Sequence, residues 1–211
     1  MQRLRLTFAK TAAMKFSGHL DLHKTWERTL RRARLPLAYS EGFNPQPKIQ
    51  LAAALPLGFT SECEVLDAWL ETPQDLAEAR AALERAAPPG IKLVGIEEAP
   101  AKSPALQTQV ASAEYRVAVI SSLNPAEMDE RITALLAAPE ILRTRRQRKY
   151  DLRPLIESLA RIGSDELGHT LAMRLAAREG ATGRPEEVVD ALGADASRAA
   201  FHRQRLIFNE T

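Results

Sequence analysis

Strand and helix patterns follow one another along the first half of the chain in an order that few folds share. Apolar and polar residues alternate over residues 3–10, as in a strand with one buried face. Leu22, Trp26 and Leu30 recur at helical spacing, which predicts an amphipathic helix. The next patterns are a strand and turn at 48–58, a strand at 63–71, a helix at 75–87 and a strand at 91–99. This β-α-β-β-α-β order is typical of the ferredoxin-like fold.

The second half of the chain repeats this order with one irregular segment. Asn124 as a cap and Pro125 in the first helical position predict a helix over residues 124–139. Residues 140–163 predict a basic strand, a break near 151–154 and a short turn or helix at 155–162. The remaining patterns are strands at 114–120, 168–177 and 200–208 and a short helix at 184–193.

We therefore predict an α+β protein with two ferredoxin-like domains in tandem, of which the second is irregular. The first domain is placed at residues 1–99 and the second at residues 113–211. Residues 100–112 are polar and contain two prolines, and this composition is typical of a linker.

Composition excludes several classes of function. Cys63 is the only cysteine, so neither a disulfide framework nor a cysteine metal cage can form within the chain, and we expect a cytoplasmic location. The apolar runs are far shorter than the ~20 residues of a transmembrane helix, so we expect no membrane partner. The sequence contains neither a phosphate-binding glycine motif nor a serine nucleophile elbow, and we expect no bound cofactor.

A basic run near residue 148 is the strongest local charge signal. It consists of Arg143, Arg145, Arg146, Arg148, Lys149 and Arg153. Clustered guanidinium groups suit phosphates because each presents paired donors in one plane, and Tyr150 could stack on an unpaired base. In one continuous strand, Arg143 and Arg145 would share a face and Arg146 and Arg148 the opposite face. The alternative is a solvated edge strand whose charges prevent edge-to-edge pairing.

The turn-rich segment YSEGFNPQPK, residues 39–48, contains two aromatic residues. As a binding loop it would stack Phe43 on a base, hydrogen-bond through Asn44 and contact phosphate through Lys48. The alternative is that Tyr39 and Phe43 pack onto the first helix near Trp26, because aromatic side chains bury large areas.

Histidines and carboxylates offer weaker candidates for metal binding and catalysis. His19 and His23 lie four residues apart on a predicted helix, a spacing that can hold Zn²⁺, although Asp21 points away from that face. The favoured alternative is a solvated helix start, with Asp21 or Ser17 as its cap. Asp151 precedes Pro154 in a turn, and one carboxylate without a partner base is not a mechanism.

Three motifs occur together and in one order: SGHLDL at 17–22, YSEGFNPQPKIQLAAALPLGF at 39–59 and RKYDLRPLI at 148–156. With these motifs the chain resembles the bacterial radical-SAM-linked protein family, whose function is unassigned. Gln46 departs from that family, where a His is expected. The resemblance covers essentially the whole chain and implies a radical-SAM protein as partner. It implies no radical chemistry here, because one cysteine cannot hold an iron–sulfur cluster.

Three functions follow as hypotheses. The favoured one is a non-catalytic module that binds structured RNA and presents it to a radical-SAM partner. The second is an RNA-processing or RNA-modifying enzyme that resembles the CRISPR repeat-cleaving endoribonucleases, with His19 as general acid–base group. The glycine-rich loop of those enzymes is missing near the C-terminus. The third is a protein-interaction scaffold whose basic run meets an acidic partner surface without nucleic acid.

Overall fold

The structure, a computed structural model, describes residues 1–100, 102–145 and 147–209 of the chain. The chain divides into two compact units, Met1–Val110 and Ala111–Thr211. The boundary between them falls inside the range predicted as a linker. Part of that range is structured, because Leu106–Gln109 form a 3-10 helix.

Unit 1 contains four strands and two α-helices among its described residues. In chain order they are β1 (Gln2–Lys10), α1 (His19–Arg32), β2 (Ile49–Leu51), β3 (Thr60–Leu70), α2 (Leu76–Ala86) and β4 (Ile91–Ala99). The strands pair in the order β2-β3-β1-β4, and every pairing is antiparallel. The two halves of this arrangement are β-α-β units that interlock in one sheet.

The core of unit 1 lies between the sheet and the two helices. Leu22, Trp26 and Leu30 of α1 are buried, as their helical spacing predicts. Phe8 of β1 meets Trp26 edge-on, with 4.7 Å between ring centroids. Aromatic pairs of this geometry contribute about 0.5–1.5 kcal/mol beyond the area they bury.

The opposite face of β1 is also buried, so the prediction of a half-buried strand is wrong. Arg3 is 2% exposed and Asp67 on β3 is 0% exposed. Arg3 Nε donates to Asp67 Oδ2 over 2.8 Å, and Arg5 Nε donates to Asp67 Oδ1 over 2.9 Å. Arg3 Nη1 also donates to the carbonyl oxygen of Ser103 over 2.8 Å. The segment that follows β4 thus accepts a hydrogen bond from the Arg3 guanidinium on this face.

Among its described residues, unit 2 repeats the connectivity of unit 1 with two additions, a hairpin after its first helix and a two-residue strand before its second. Its elements are β5 (Val110–Ile120), α3 (Pro125–Ala137), β6 (Leu142–Arg145), β7 (Arg148–Asp151), β8 (Ile156–Ser164), β9 (Gly168–Arg178), β10 (Ala181–Thr182), α4 (Pro185–Ala191) and β11 (Ala200–Phe208). Strands pair in the order β8-β9-β5-β11, and short β10 also pairs with β9. Strands β6 and β7 form a separate two-stranded sheet between α3 and β8. Both units are therefore α+β, which confirms the predicted class.

Residues 155–162, predicted as a turn or helix, lie mostly in strand β8. The register of β8 against β9 shifts between Ile156 and Ser158 and again between Arg161 and Gly163. These bulges bring Ile156 and Leu159, three residues apart, to buried positions. Buried residues three positions apart are typical of a helix, whereas buried residues of a regular strand recur every two positions. The sequence pattern therefore predicted a turn or helix where the chain forms a strand. By contrast, the predicted cap of α3 is present, since Asn124 Oδ1 accepts from Glu127 N over 3.0 Å.

Within the described part of the chain, no helix is long and apolar enough to cross a bilayer.

We expect Asp67→Asn to lower the free energy of unfolding by about 3–5 kcal/mol, because it leaves the Arg3 guanidinium buried without its counter-ion. Urea denaturation followed by circular dichroism measures the change. Glu84→Gln is the matched control, because it breaks the exposed Arg80–Glu84 pair and should cost at most about 0.5 kcal/mol. Equal losses in both variants would contradict a structural role for the buried carboxylate.

Candidate functional site

The basic run of the sequence forms the β6–β7 hairpin. Arg143 lies opposite Tyr150, and Arg145 lies opposite Arg148. Cross-strand partners project to the same face of an antiparallel pair, and alternate residues along a strand do as well. Arg143, Arg145 and Arg148 therefore share one face. The expected division, with Arg148 opposite to Arg145, is wrong because the chain reverses between these two residues.

Glu187 on α4 lies within electrostatic range of this arginine face. Burial raises the pKa of Glu187 on α4, and the positive charges of Arg145 and Arg143 oppose this rise. The arginine face of the hairpin thus has a carboxylate close to its two partly buried arginines. Arg148 and Lys149 are exposed. Arg146 lies outside the residues that the structure describes.

Asp151 and Arg153 tie the hairpin to the rest of unit 2. Asp151 Oδ1 accepts from the backbone N–H of Ile141 over 2.7 Å and from that of Arg153 over 2.9 Å. Arg153 Nε donates to the carbonyl oxygen of Leu136 over 2.9 Å, and its Nη1 donates to that of Ile156 over 3.1 Å. These bonds engage the Asp151 oxygen and two donor nitrogens of Arg153 in holding backbone.

Residues 40–46 form a loop that is closed at its base. Ser40 N donates to the carbonyl oxygen of Gln46 over 2.8 Å, and Gln46 N donates to Ser40 Oγ over 2.9 Å. Gly42 has a φ of 121°, which favours glycine. Phe43 is fully exposed, with a relative accessibility of 108%. The alternative in which Phe43 packs onto the first helix is therefore wrong.

The other residues predicted for this loop differ in exposure. Asn44 is exposed and Lys48 is partly buried. The backbone of Lys48 is held on both sides, since its N–H donates to Ala38 O over 2.8 Å and its carbonyl accepts from Trp69 N over 3.0 Å. Tyr39 does contact α1, where Arg31 Nε donates to Tyr39 Oη over 3.2 Å.

His19 and His23 lie in the first turns of α1, and both are partly buried. Asp21 Oδ2 accepts from the backbone N–H of Gly18 over 3.2 Å, whereas Ser17 Oγ donates to Met14 O over 2.6 Å. Asp21 therefore takes part in capping α1, and Gly18 occupies the cap position. Among the described residues, no group of three or more His, Cys, Asp or Glu side chains is placed to hold a metal ion.

Glu187 is the neighbour of the hairpin that sequence reasoning missed. It belongs to a short helix whose pattern places Val188 and Val189 in the core. Nothing in that pattern shows that Arg143 and Arg145 lie within electrostatic range of it, because the contact is tertiary. The hairpin itself carried a signal, namely basic residues on both sides of a possible turn at Gln147.

Comparisons with known proteins identify a family and a fold. A family model described as an uncharacterized protein conserved in bacteria, DUF2344, matches residues 3–185. No curated protein matches the chain at a significant level.

Among solved structures, the chain resembles one in a crystal structure of a Cbf5–Nop10–Gar1 complex, with a TM-score of 0.54 and 10% identity. The match covers 96% of this chain and 48% of that one, so the chain spans about half the length of the protein it matches. A chain of an archaeal box H/ACA sRNP Nop10–Cbf5 complex matches with a TM-score of 0.47 and 12% identity, over 96% of this chain and 47% of that one. Likeness at these identities concerns the fold alone.

The pKa of Glu187 predicts how stability depends on pH. A raised folded-state pKa means that the group's contribution to stability is complete below its ordinary value of 4.5 and is lost as pH rises through the folded pKa. Gln does not titrate, so the Glu187→Gln variant does not lose this contribution as pH rises. We therefore expect the urea midpoint of the variant minus that of wild type to be larger at neutral pH than at a pH below 4.5. Urea titrations at both pH values measure this difference. If the difference is the same at both, burial does not control this carboxyl group.

Proposed function

We propose that this chain, which belongs to the DUF2344 family of uncharacterized proteins conserved in bacteria, is a non-catalytic RNA-binding protein that contacts RNA phosphates through its β6–β7 hairpin. Arg143, Arg145 and Arg148 are the phosphate ligands on one face of the hairpin, and Lys149 contributes from the other. Arg153 is not included, because its guanidinium already holds two backbone carbonyls.

The observation that carries this proposal is the pairing of Arg145 directly with Arg148. Like charges in directly opposite positions destabilise a strand pair, and Arg143 adds a third cation to the same face. A phosphate group relieves this repulsion because a guanidinium donates two parallel hydrogen bonds to it. The hairpin is also set apart from the main sheet of unit 2, so its exposed edges are not used in that sheet.

The loop at residues 40–46 is proposed as a second contact, within unit 1. Phe43 exposes its whole ring on a loop whose base is fixed by two hydrogen bonds, so little conformational entropy is lost when a base stacks on it. Asn44 lies beside it and can hydrogen-bond a base edge, and Lys48 lies beyond the loop base as a further phosphate contact.

We also propose that the two units are two ferredoxin-like domains in tandem. Support comes from the matching strand orders, β2-β3-β1-β4 in unit 1 and β8-β9-β5-β11 in unit 2. Sheets of this kind bind RNA in several families. A shared fold does not establish a shared function, so the proposal of RNA binding rests on the arginine hairpin.

The radical-SAM partner stays a prediction that rests on the three sequence motifs. So does the alternative of an RNA-cleaving enzyme with His19 as acid–base group, which equal RNA products from wild type and His19→Ala would exclude for that residue. The scaffold alternative and the cytosolic location also stay predictions.

We expect Arg145→Gln/Arg148→Gln to weaken RNA binding and to reduce its dependence on salt. Each phosphate contact removed from a single strand should lower the slope of log K against log salt by about 0.7. Titration of a labelled single-stranded RNA and of a stem-loop RNA at several salt concentrations measures both effects. The matched control is Arg85→Gln/Arg178→Gln, which removes the same charge from exposed positions elsewhere. Absence of wild-type binding at low salt, or equal slopes in both double variants, would exclude the hairpin as a phosphate site.

We expect Phe43→Ala to cost about 1–3 kcal/mol of RNA-binding free energy, the contribution of one stacked base. Stability should not change, because the side chain is fully exposed. Phe43→Trp should retain binding. Phe16→Ala removes another exposed phenylalanine, 79% accessible, and serves as the control. An equal loss in both alanine variants would argue against stacking at the loop.

A further inference from the structure

Unit 1 exposes three large apolar side chains around the start of α1. Phe16 is 79% exposed, Leu20 is 74% exposed and Leu57 is 63% exposed. The backbone N–H of Gly58 donates to the carbonyl oxygen of Lys15 over 2.9 Å, which places the Leu57 segment beside Phe16. Single exposed apolar residues are common on soluble proteins, whereas neighbouring ones mark interaction surfaces.

Buried polar contacts hold the backbone on both sides of Phe16. Lys10 is 0% exposed, and its Nζ donates to Ser17 O over 2.8 Å and lies 3.4 Å from Lys15 O. Ser17 Oγ donates to Met14 O over 2.6 Å. A buried ammonium group costs free energy unless its hydrogen bonds are made. These bonds fix the backbone next to Phe16, so the residue is presented at the surface by an ordered segment.

Positive charge continues from this apolar surface along α1. Lys24 and Arg28 are exposed and follow Leu20 at intervals of four residues, so they lie on the same side of the helix. Lys15 places its Nζ 5.7 Å from the centre of the Phe16 ring. Asp21, the acidic residue in the first turn of α1, accepts a hydrogen bond from the backbone N–H of Gly18.

We propose that Phe16, Leu20 and Leu57, with Lys15, Lys24 and Arg28 beside them, form a docking surface for an acidic amphipathic segment of a partner protein. Apolar side chains of the segment pack on the three exposed residues, and its Asp and Glu side chains pair with the flanking cations. Three anchoring side chains fit a short recognition segment better than a large permanent interface. None of these residues belongs to the hairpin or to the loop at residues 40–46, so this proposal does not rest on the proposed RNA binding.

Selection of displayed random peptides on the full chain tests this proposal. Peptides of about four helical turns should enrich for sequences that combine Leu or Phe with Asp and Glu. Phe16→Ser/Leu20→Ser should weaken the selected peptides by about tenfold or more in Kd, as expected for anchor residues. Lys24→Glu/Arg28→Glu should also weaken them and increase the salt sensitivity of what remains. Circular dichroism and urea denaturation confirm that each variant is folded.

Ile162→Ser/Leu167→Ser is the matched control, since it removes exposed apolar residues from other places, 52% and 72% accessible. It should change Kd by less than about twofold. The proposal is overturned if no peptide enriches, if the selected peptides are neutral or basic, or if control and surface variants behave alike. It is also overturned if a stem-loop RNA displaces the peptides, or if sedimentation shows a wild-type dimer that Phe16→Ser/Leu20→Ser abolishes.

Discussion

The sheet of unit 1 depends on the ion pairs of the buried Asp67 carboxylate with Arg3 and Arg5. This carboxylate joins β3 to two arginines of β1, and Arg3 extends the network to the carbonyls of Ser103 and Pro104. Charges removed from water are costly, and only full pairing offsets that cost. The pairing therefore favours one register of β1 on β3 and one path for the chain after β4, because any other arrangement leaves a buried charge alone.

The candidate binding residues lie outside this buried framework but are held by it. Two hydrogen bonds between Ser40 and Gln46 close the base of the loop that carries Phe43, and Asp151 accepts from two backbone N–H groups where the hairpin ends. The same holds for Phe16, because buried Lys10 donates to the carbonyl oxygens of Lys15 and Ser17 on either side of it. In each case polar contacts inside the unit keep a side chain exposed, which suits recognition of a partner at low entropic cost.

Sequence patterns predicted elements whose period is regular and whose caps are standard. The helix after Asn124 and the strand at residues 200–208 are examples. Bulges in β8 broke the period and produced a wrong prediction. Arg3 has the residue type of a solvent-facing position, and its burial depends on tertiary contacts with Asp67, Trp69 and the carbonyl oxygen of Ser103. The chain reverses between Arg145 and Arg148, and Gln147 in this reversal has a φ of 65°. Residues other than glycine rarely adopt positive φ, so the sequence did not predict this turn.

RNA contact at the hairpin is the central claim, and photo-crosslinking tests it most directly. A thiouridine-containing RNA is irradiated with the wild-type chain at low and high salt, and crosslinked peptides are located by mass spectrometry. The account predicts crosslinks within residues 142–151 and at Phe43, and their loss at high salt. Crosslinks confined to α1 and residues 15–20, or none at low salt, would contradict it.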